Sequence, residues 1–520
     1  MTPRDRQRSQ DRGTRRAVSA EGRATTNVLL IYPEVPPTFW SFTRALGFVG
    51  RRASSPPLGL LTVAAMLPDE WSVRLVDTAV RRLTDKHLSW ADCALISGMT
   101  VQRESAREII ARCKAAGVRT VAGGPLFTSE HEHFHDVDHF VLNEAEVTLP
   151  QFLEDLERGC AKRHYETLEF ADIRQSPSPR WELAEFHRYA SMSIQYSRGC
   201  PYDCEFCNVT TLFGHTWRTK TTQQVISELD GLYAAGWRRG VFFVDDNLIG
   251  NRRALKDKLL PALIEWQRGK DIPFQTQLSI DLADDEALTS LLVEAGFRTV
   301  FIGIETPDEE SLSECNKRQN KGRNLVEDVK RLQRAGLEVQ GGFIVGFDHD
   351  LADIFQRQID FIQKSGIVTA MVGLLQAPPG TRLSARLQSE NRLLAQGSGD
   401  NVDGTTNIIP VMDIGTLRRG YNRILKTIYS PKHYYRRVRT FLREYRAPSA
   451  GRSLSARQIL AFLRSIIRLG VVGKERFQYW KLLVWTTLRR PKRFPMAVTF
   501  AIYGYHFRKT CEKHVVVSRT

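Results

Sequence analysis

The chain has 520 residues, 42% of them hydrophobic, which is enough to bury large cores in two or three domains. Its net charge of +16 is concentrated in residues 411–520, which carry 25 Lys and Arg against 4 Asp and Glu. No apolar run reaches the length of a membrane span and the N-terminus lacks a signal-peptide core, so a cytoplasmic protein is expected.

The N-terminal third reads as a short tail followed by an α/β domain. Residues 1–26 are rich in Arg, Ser and Thr and are predicted to form a disordered basic tail. Within residues 27–160, short apolar runs alternate with helical patterns at 59–67 and 102–116, which predicts a doubly wound, Rossmann-like parallel sheet. The predicted strands are 27–32, 72–77, 93–98, 119–124 and 139–144.

Small residues follow the strands of this first domain, where the ligands of such sheets bind. Ser97, Thr100, Gly123 and Gly124 would let a bulky ligand approach the backbone closely. From the residues alone, this domain could bind a nucleotide, bind a corrinoid or only pack against its neighbour.

Four histidines cluster near the end of the first domain. They suggest a metal site, although a solvated loop explains the same polar pattern better. The four are His131, His133, His135 and His139.

A second α/β series follows an interdomain linker predicted at residues 161–190. Six strands alternate with helices over residues 191–410, which predicts a partial (β/α)6 barrel with its active site at the strand carboxyl ends. The predicted strands are 192–197, 241–245, 274–279, 299–304, 339–345 and 369–375.

The first of these strands leads into Cys200, Cys204 and Cys207, a C-x3-C-x2-C array on one loop. Closely spaced thiolates can hold three irons of a cubane cluster, and a matching fourth cysteine is absent, so one iron would stay open. A zinc site needs four ligands, usually as two separated pairs, and no second C-x2-C exists to complete one.

The array resembles the cluster loop of the radical S-adenosylmethionine (SAM) superfamily, whose open iron binds SAM. The resemblance implies a [4Fe-4S] cluster on the three cysteines. It also implies SAM contacts at residues following the later strands: Asp245, Asp246, Asn247, Gln277, Ser279, Gly303 and Glu305.

The α/β domain that precedes this loop resembles the cobalamin-binding half of the B12-dependent radical SAM enzymes. The likeness is carried by Ile31-Tyr32-Pro33 and by Pro56-Pro57-Leu58-Gly59-Leu60. It implies cobalamin at Ser97, Thr100, Gly123 and Gly124. The D-x-H-x-x-G signature is absent, with Asp85-Lys86-His87 the nearest match, so no histidine ligand to cobalt is expected.

Residues 411–520 are predicted to be mainly helical, basic and aromatic. Ile459, Phe462, Leu463, Ile466 and Ile467 share one helical face. Helices packed on the barrel and peripheral contact with the inner membrane surface are the two favoured interpretations. RNA binding is weaker, and nucleic acid is not expected as a partner. Through Tyr421 to Arg436 and the closing Ala501-Ile502-Tyr503-Gly504-Tyr505-His506-Phe507-Arg508, the region resembles the C-terminal region of a bacterial group that includes the hopanoid C-2 methylases.

Together these resemblances imply a cobalamin-dependent radical SAM enzyme that methylates an unactivated carbon of a small or lipid-like substrate. A flavodoxin or ferredoxin would supply electrons. The alternatives are an oxidative cyclase of the tetrapyrrole type and an RNA-modifying methylthiotransferase. The latter generally brings a second cysteine set, which Cys93, Cys113 and Cys160 do not match in spacing.

Overall fold

The computed structural model describes residues 26–394, 397–400, 402–446 and 456–517. These residues form two six-stranded parallel sheets followed by a group of C-terminal helices. The architecture confirms the predicted fold class. The predicted tail, apart from Thr26, lies outside the described residues.

The first sheet has the strand order β2-β1-β3-β4-β5-β6. Its central strands are almost entirely apolar because helices cover both faces. In the first strand, Leu29 and Ile31 enter one core, while Val28 and Leu30 enter the other. The elements are β1 (Asn27–Tyr32), α1 (Thr43–Val49), α2 (Leu58–Ala64), β2 (Ser72–Asp77), α3 (Asp85–Trp90), β3 (Cys93–Ser97), α4 (Arg103–Ala115), β4 (Arg119–Gly123), α5 (Pro125–Glu130), β5 (His139–Val141), α6 (Ala145–Glu157) and β6 (His164–Tyr165).

Strand β6 lies within the segment predicted as a linker. Its two residues pair with Phe140 and Val141 and so extend the first sheet. The Tyr165 hydroxyl donates to Asp155 at 2.9 Å, which ties the strand to α6. A two-residue strand has no periodicity to detect, which is why the sequence pattern did not reveal it.

The second sheet has the order β14-β13-β12-β11-β10-β7, with β7 and β14 as its edges among the described strands. A separate antiparallel ribbon, β8 with β9, leads into and out of the cysteine loop. The elements are β7 (Met192–Ile194), β8 (Ser197–Arg198), α7 (Val209–Phe213), β9 (Arg218–Thr219), α8 (Thr222–Ala234), β10 (Val241–Phe243), α9 (Arg252–Ala254), α10 (Leu260–Gln267), β11 (Phe274–Gln277), α11 (Glu286–Glu294), β12 (Phe297–Glu305), α12 (Glu309–Glu314), α13 (Leu325–Ala335), β13 (Glu338–Val345), α14 (Ile354–Ser365), β14 (Ala370–Leu374) and α15 (Arg382–Ser389).

The C-terminal helices pack against the barrel through buried aromatic and aliphatic side chains, including Tyr421, Phe441 and Phe500. The interpretation of helices packed on the barrel therefore describes α16 and α17 well, whereas α20 packs on α1 and on the other C-terminal helices. The elements are α16 (Ile414–Ile428), α17 (Pro431–Glu444), α18 (Ala456–Ser465), a π-helical turn (Ile466–Val471), α19 (Arg476–Arg489) and α20 (Phe494–Val517).

Helix α18 lies with its most apolar face outward. Ile459, Leu463 and Ile467 are 48%, 50% and 61% exposed. The helix packs instead through small residues, since Ala461 and Ser465 are its buried positions. No described helix combines the length and the hydropathy that crossing a bilayer requires.

The segment after β1 reaches the far end of the chain. The Phe39 ring stacks on Phe507 with the centroids 4.3 Å apart, and the buried His506 ring nitrogen Nε2 lies 2.9 Å from the Phe39 carbonyl oxygen. Burial lowers the pKa of His506 to about 4. A neutral imidazole therefore donates this hydrogen bond at neutral pH.

Candidate active site

The three cysteines occupy the loop between β8 and α7, just beyond the carboxyl end of β7. Gly199 opens the loop with φ +90°, and a Cβ there would lie 2.4 Å from the Thr216 carbonyl oxygen. The Cys200 amide donates to the Gly214 carbonyl at 3.3 Å. The local fold therefore requires glycine at residue 199.

The opposite side of the loop is held by α15 and by the segment after α12. The Glu205 amide donates to the Cys315 carbonyl at 3.0 Å, and the Asn316 side chain donates to the Asp203 carbonyl at 2.8 Å. Arg386 makes a bidentate pair with the Glu205 carboxylate at 2.7 and 3.1 Å. These contacts hold the cysteine loop from both sides.

The cysteine side chains are sheltered from water, Cys204 most of all. Burial raises the pKa of Cys207 to about 12 and also raises that of Cys200, while Lys317 acts in the opposite direction on both. Metal binding would displace these protons. The Gln319 amide donates to the Cys204 sulfur at 3.9 Å, and its buried Oε1 has no partner among the described residues.

This donor set fits a [4Fe-4S] cluster better than a single ion. Among the described residues, no three His, Cys, Asp or Glu side chains converge as the ligands of one metal. A cubane does not need such convergence, because each thiolate binds a different iron. The nearby buried Cys315 donates to the Leu312 carbonyl at 3.7 Å.

The predicted histidine features have other contacts. The His131 ring packs against Phe140 and His164, and His139 Nδ1 lies 2.6 Å from the Lys162 carbonyl oxygen. The His87 side chain caps the start of α3 by accepting from the Thr84 amide at 3.1 Å.

A buried ion pair stands beside the cysteine loop, where β12 ends. Lys317 Nζ lies 2.8 Å from the Glu305 carboxylate. Burial alone would lower the pKa of Lys317, but Glu305 and Cys204 raise it overall, so the amine stays charged. Gly303 makes room for the pair, since a Cβ there would lie 2.2 Å from Glu305 Oε1. Glu305 itself has φ +63°.

The polar residues after β10 and β11 have different surroundings. Asp245 is fully buried and accepts from the Tyr196 amide at 3.2 Å and from both the amide and hydroxyl of Ser197. It therefore orients the ribbon before the cysteine loop. Burial raises the pKa of Asp245 to about 6 and that of half-buried Asp246 to about 7, the latter with help from Asp245.

Asn247 connects the two strand ends by accepting from the Ser279 amide at 3.3 Å. Gln277 is half-buried on β11, two residues earlier. A pocket of about 470 Å³ lies beside these residues and the loop; its lining includes Tyr202, Trp217, Asn247 and Arg252. The structure thus places Asn247 next to an open space near the cysteines, and the SAM contacts themselves stay a prediction.

The first sheet presents a different edge. Gly124 has φ +84°, and a Cβ there would lie 2.3 Å from Ser97 Oγ; a Cβ at Gly123 would lie 2.5 Å from the Val141 carbonyl oxygen. Thr100 packs against Gly399, whose added Cβ would come within 2.9 Å of Thr100 Cβ. The four residues predicted to contact cobalamin therefore lie at one edge, which faces the chain segment after the barrel.

Four charged side chains join this edge to the cysteine loop. Arg198, two residues before Cys200, donates to Glu144 at 3.0 Å and to Glu146 at 2.7 Å. Arg218 donates to Glu144 at 2.8 Å. All four side chains are at most 15% exposed. We call this group the interdomain clamp, and Arg198 holds the pKa of Glu146 at about 2 despite its burial.

Sequence reasoning did not assign a role to the clamp or to Lys317. Glu144 and Glu146 stand at the end of the predicted strand 139–144, but their partner Arg198 lies more than 50 residues away, so no local pattern points to the clamp.

The inner face of the barrel has an apolar floor, which we define as Trp40, Phe301 and Met371. Phe301 lies on the same face of β12 as Gly303, by strand alternation. Trp40 meets Phe301 edge-on with centroids 5.4 Å apart and donates to the Met371 sulfur at 3.0 Å. All three side chains are half-buried, so part of their surface faces the lumen.

Three domain families match this chain. The B12 binding domain matches residues 50–153, the Radical SAM superfamily matches residues 194–362, and a domain of unknown function, DUF4070, matches residues 381–518. With the cysteine loop and the two parallel sheets, they define the class: a radical SAM enzyme with a B12-binding domain.

Two curated relatives cover almost the whole chain. An uncharacterized methyltransferase of Synechocystis sp. is 42% identical to this chain, over 92% of this chain and 91% of the relative's own length. The hopanoid C-2 methylase of Rhodopseudomonas palustris is 33% identical over 90% of each. The chain therefore belongs to the cobalamin-dependent radical SAM methyltransferase family. This membership confirms the predicted cofactor set of a [4Fe-4S] cluster, SAM and cobalamin.

Solved structures show the same fold at low identity. The cobalamin-dependent SAM radical enzyme OxsB, with aqua-cobalamin and SAM bound, has a TM-score of 0.61 at 15% identity, over 95% of this chain and 80% of that one. The methyltransferase TsrM from Kitasatospora setae has a TM-score of 0.54 at 16% identity, over 70% and 78%.

Proposed function

We propose that the enzyme methylates an unactivated carbon of a polycyclic lipid of the hopanoid type. The main structural support is the interdomain clamp, which joins the edge predicted to bind cobalamin to the loop that contains the three cysteines. Support for the substrate class comes from the hopanoid C-2 methylase and from a Methylococcus capsulatus relative named hopanoid C-3 methylase, 28% identical over 30% of this chain.

The residues divide the work between the two edges. Cys200, Cys204 and Cys207 would hold the cluster, and Ser97, Gly123 and Gly124 would leave room for the corrinoid. When bound, the cluster supplies the electron that cleaves SAM, and cobalamin supplies the methyl group. The clamp positions the two sites relative to each other, and such positioning is the main contribution that a protein makes to cofactor chemistry.

The lumen suits an apolar skeleton. The apolar floor offers aromatic and thioether surface but no charged group to a substrate above it. Burial of a polycyclic hydrocarbon against this surface is favourable, because apolar surface is removed from water. Two charged residues of the site, Glu305 and Lys317, pair with each other and so lower the cost of their burial.

Two partners complete the proposal. An electron donor such as a flavodoxin or ferredoxin would reduce the cluster. Because a hopanoid-type substrate resides in membranes, we also propose that residues 411–520 contact the membrane surface peripherally. The basic excess of this region suits anionic lipid.

The test is anaerobic reconstitution with iron, sulfide and cobalamin, followed by incubation with SAM, a reductant and polycyclic lipids. The proposal expects about four irons and one corrinoid per chain and a product heavier by one CH2 unit. Oxidation of the substrate without a CH2 gain would favour the cyclase alternative. Four irons without corrinoid would remove the methyl carrier and overturn the proposal.

A further inference from the structure

Ten large apolar side chains are exposed on two consecutive helical segments, α18 with the π-helical turn and α19, which we call the hairpin. They form two stripes, one at Ile459, Leu460, Leu463, Ile467, Val471 and Val472, the other at Phe477, Trp480, Val484 and Leu488. The two stripes meet where the Trp480 indole donates to the Gly470 carbonyl at 3.0 Å. We call this surface the hairpin face. Soluble proteins rarely leave such a surface uncovered.

The hairpin face does not serve the fold. The same hairpin packs on the rest of the molecule through its opposite side, with Leu469, Tyr479 and Leu482 fully buried. Phe477 and Leu488 are each 75% exposed and Val472 is 76% exposed. These side chains can therefore be changed without opening the core.

Charge decides what covers this face. Residues 456–493 contain ten Lys and Arg and one acidic residue, Glu475. Glu475 is buried and pairs with Arg508 at 2.7 Å. Arg457, Arg468 and Lys481 are exposed around the stripes. A second copy of the chain would bring two strongly cationic faces together, which is unfavourable.

We infer that the hairpin face docks on an anionic lipid bilayer, with its apolar stripes in the headgroup–acyl boundary and its cations against the headgroups. This inference deepens the proposed function. It rests on the proposed function only for the role of docking, which is to give the enzyme access to a membrane-resident substrate. The hairpin lies in the membrane plane, since neither helix is able to span a bilayer.

The experiment is flotation of the full chain, without cofactors, with vesicles of phosphatidylcholine alone or with one fifth phosphatidylglycerol. The chain should float with the anionic vesicles and less with the neutral ones. Phe477→Ser with Leu488→Ser should reduce flotation by about tenfold. Arg476→Gln with Lys481→Gln should weaken the preference for anionic lipid, because each cation near the surface contributes about 1 kcal/mol. The matched control is Leu168→Ser with Leu351→Ser, at apolar side chains 96% and 72% exposed elsewhere.

Three outcomes would overturn the inference. The chain could stay in the lipid-free fraction with both vesicles, the control pair could lose flotation as strongly as the hairpin pair, or sedimentation could show a dimer that the hairpin pair dissociates. None of these measurements involves methylation. Failure of docking is thus distinguishable from failure of the proposed chemistry.

Discussion

The carboxyl edges of the two parallel sheets differ in the size and charge of their residues. At the first sheet the carboxyl ends of β3 and β4 are small and uncharged, with Ser97 and Gly124 in contact, and the charged residues lie to either side, at Asp77 and Glu144. At the barrel the corresponding edge carries buried charge, including Asp245 and the Glu305–Lys317 pair. A large corrinoid needs close backbone approach, whereas a small zwitterion and a metal cluster need fixed charges. With the cofactors placed as we propose, the same sheet architecture would serve two cofactors through the different residues at its two edges.

Breaking the barrel edge alone should have the largest effect. Cys204→Ala removes one of the three thiolates, so reconstituted iron should fall sharply and SAM cleavage should drop by more than about 100-fold. Bound corrinoid should not change, because the first edge is intact. The measurements are iron content, 5′-deoxyadenosine formation and corrinoid absorbance. Cys160→Ala, at an exposed cysteine, is the control.

Breaking the first edge alone should give the opposite pattern. Gly124→Val drives a side chain into Ser97 Oγ, and overpacking of this size weakens corrinoid binding by up to about 100-fold. Iron content should stay normal. Gly159→Val is matched, since that glycine has φ +70° but open space around it. Equal loss of corrinoid in both variants would contradict the placement of cobalamin.

A variant of the interdomain clamp tests whether methylation requires the two edges to be held together. Glu146→Gln removes one of the two carboxylates that pair with Arg198 in the interdomain clamp. The free energy of unfolding should fall by about 2–3 kcal/mol, less than for loss of a whole buried pair, because Glu144 still pairs with Arg198. Both cofactors should still bind, but methylated product should fall relative to 5′-deoxyadenosine.

The control for the clamp lies on the same helix. Glu154→Gln breaks the exposed pair with Arg158 and should cost at most about 1 kcal/mol, with the product ratio unchanged. An unchanged ratio in Glu146→Gln as well would show that the clamp only stabilises the fold.

The smallest effect concerns pH and the first sheet. Burial raises the pKa of Asp77, at the end of β2, to about 6, and the Tyr189 hydroxyl donates to it at 3.0 Å. The folded state therefore holds this proton more tightly than the unfolded state, and its contribution to stability falls as pH rises, levelling off above pH 6. Relative to Asp77→Asn, wild type should lose about 1 kcal/mol between pH 5 and 7 in urea unfolding. A pH-independent difference would contradict the raised pKa.

The sequence predicted those parts of the molecule whose cause is local. Apolar runs located the long strands within a few residues, as β1 and β12 show, and spacing alone located the cysteine loop. The interdomain clamp escaped because Arg198 and Glu146 meet only after two sheets have formed. The sequence left the orientation of α18 open, because its apolar stripe suited packing on the barrel and contact with a membrane equally, and the small residues that make its buried side carry no such signal.

The contact between Phe39 and α20 has a consequence for the biosynthesis of the chain. The imidazole that holds the Phe39 carbonyl comes 467 residues later. At a ribosomal rate of 5–20 residues per second, His506 is synthesised roughly 25 to 90 seconds after Phe39. The packing around Phe39, next to Trp40 of the apolar floor, is therefore completed only when synthesis nears its end. A nascent chain stalled before α20 would expose aromatic surface and become a natural client for chaperones.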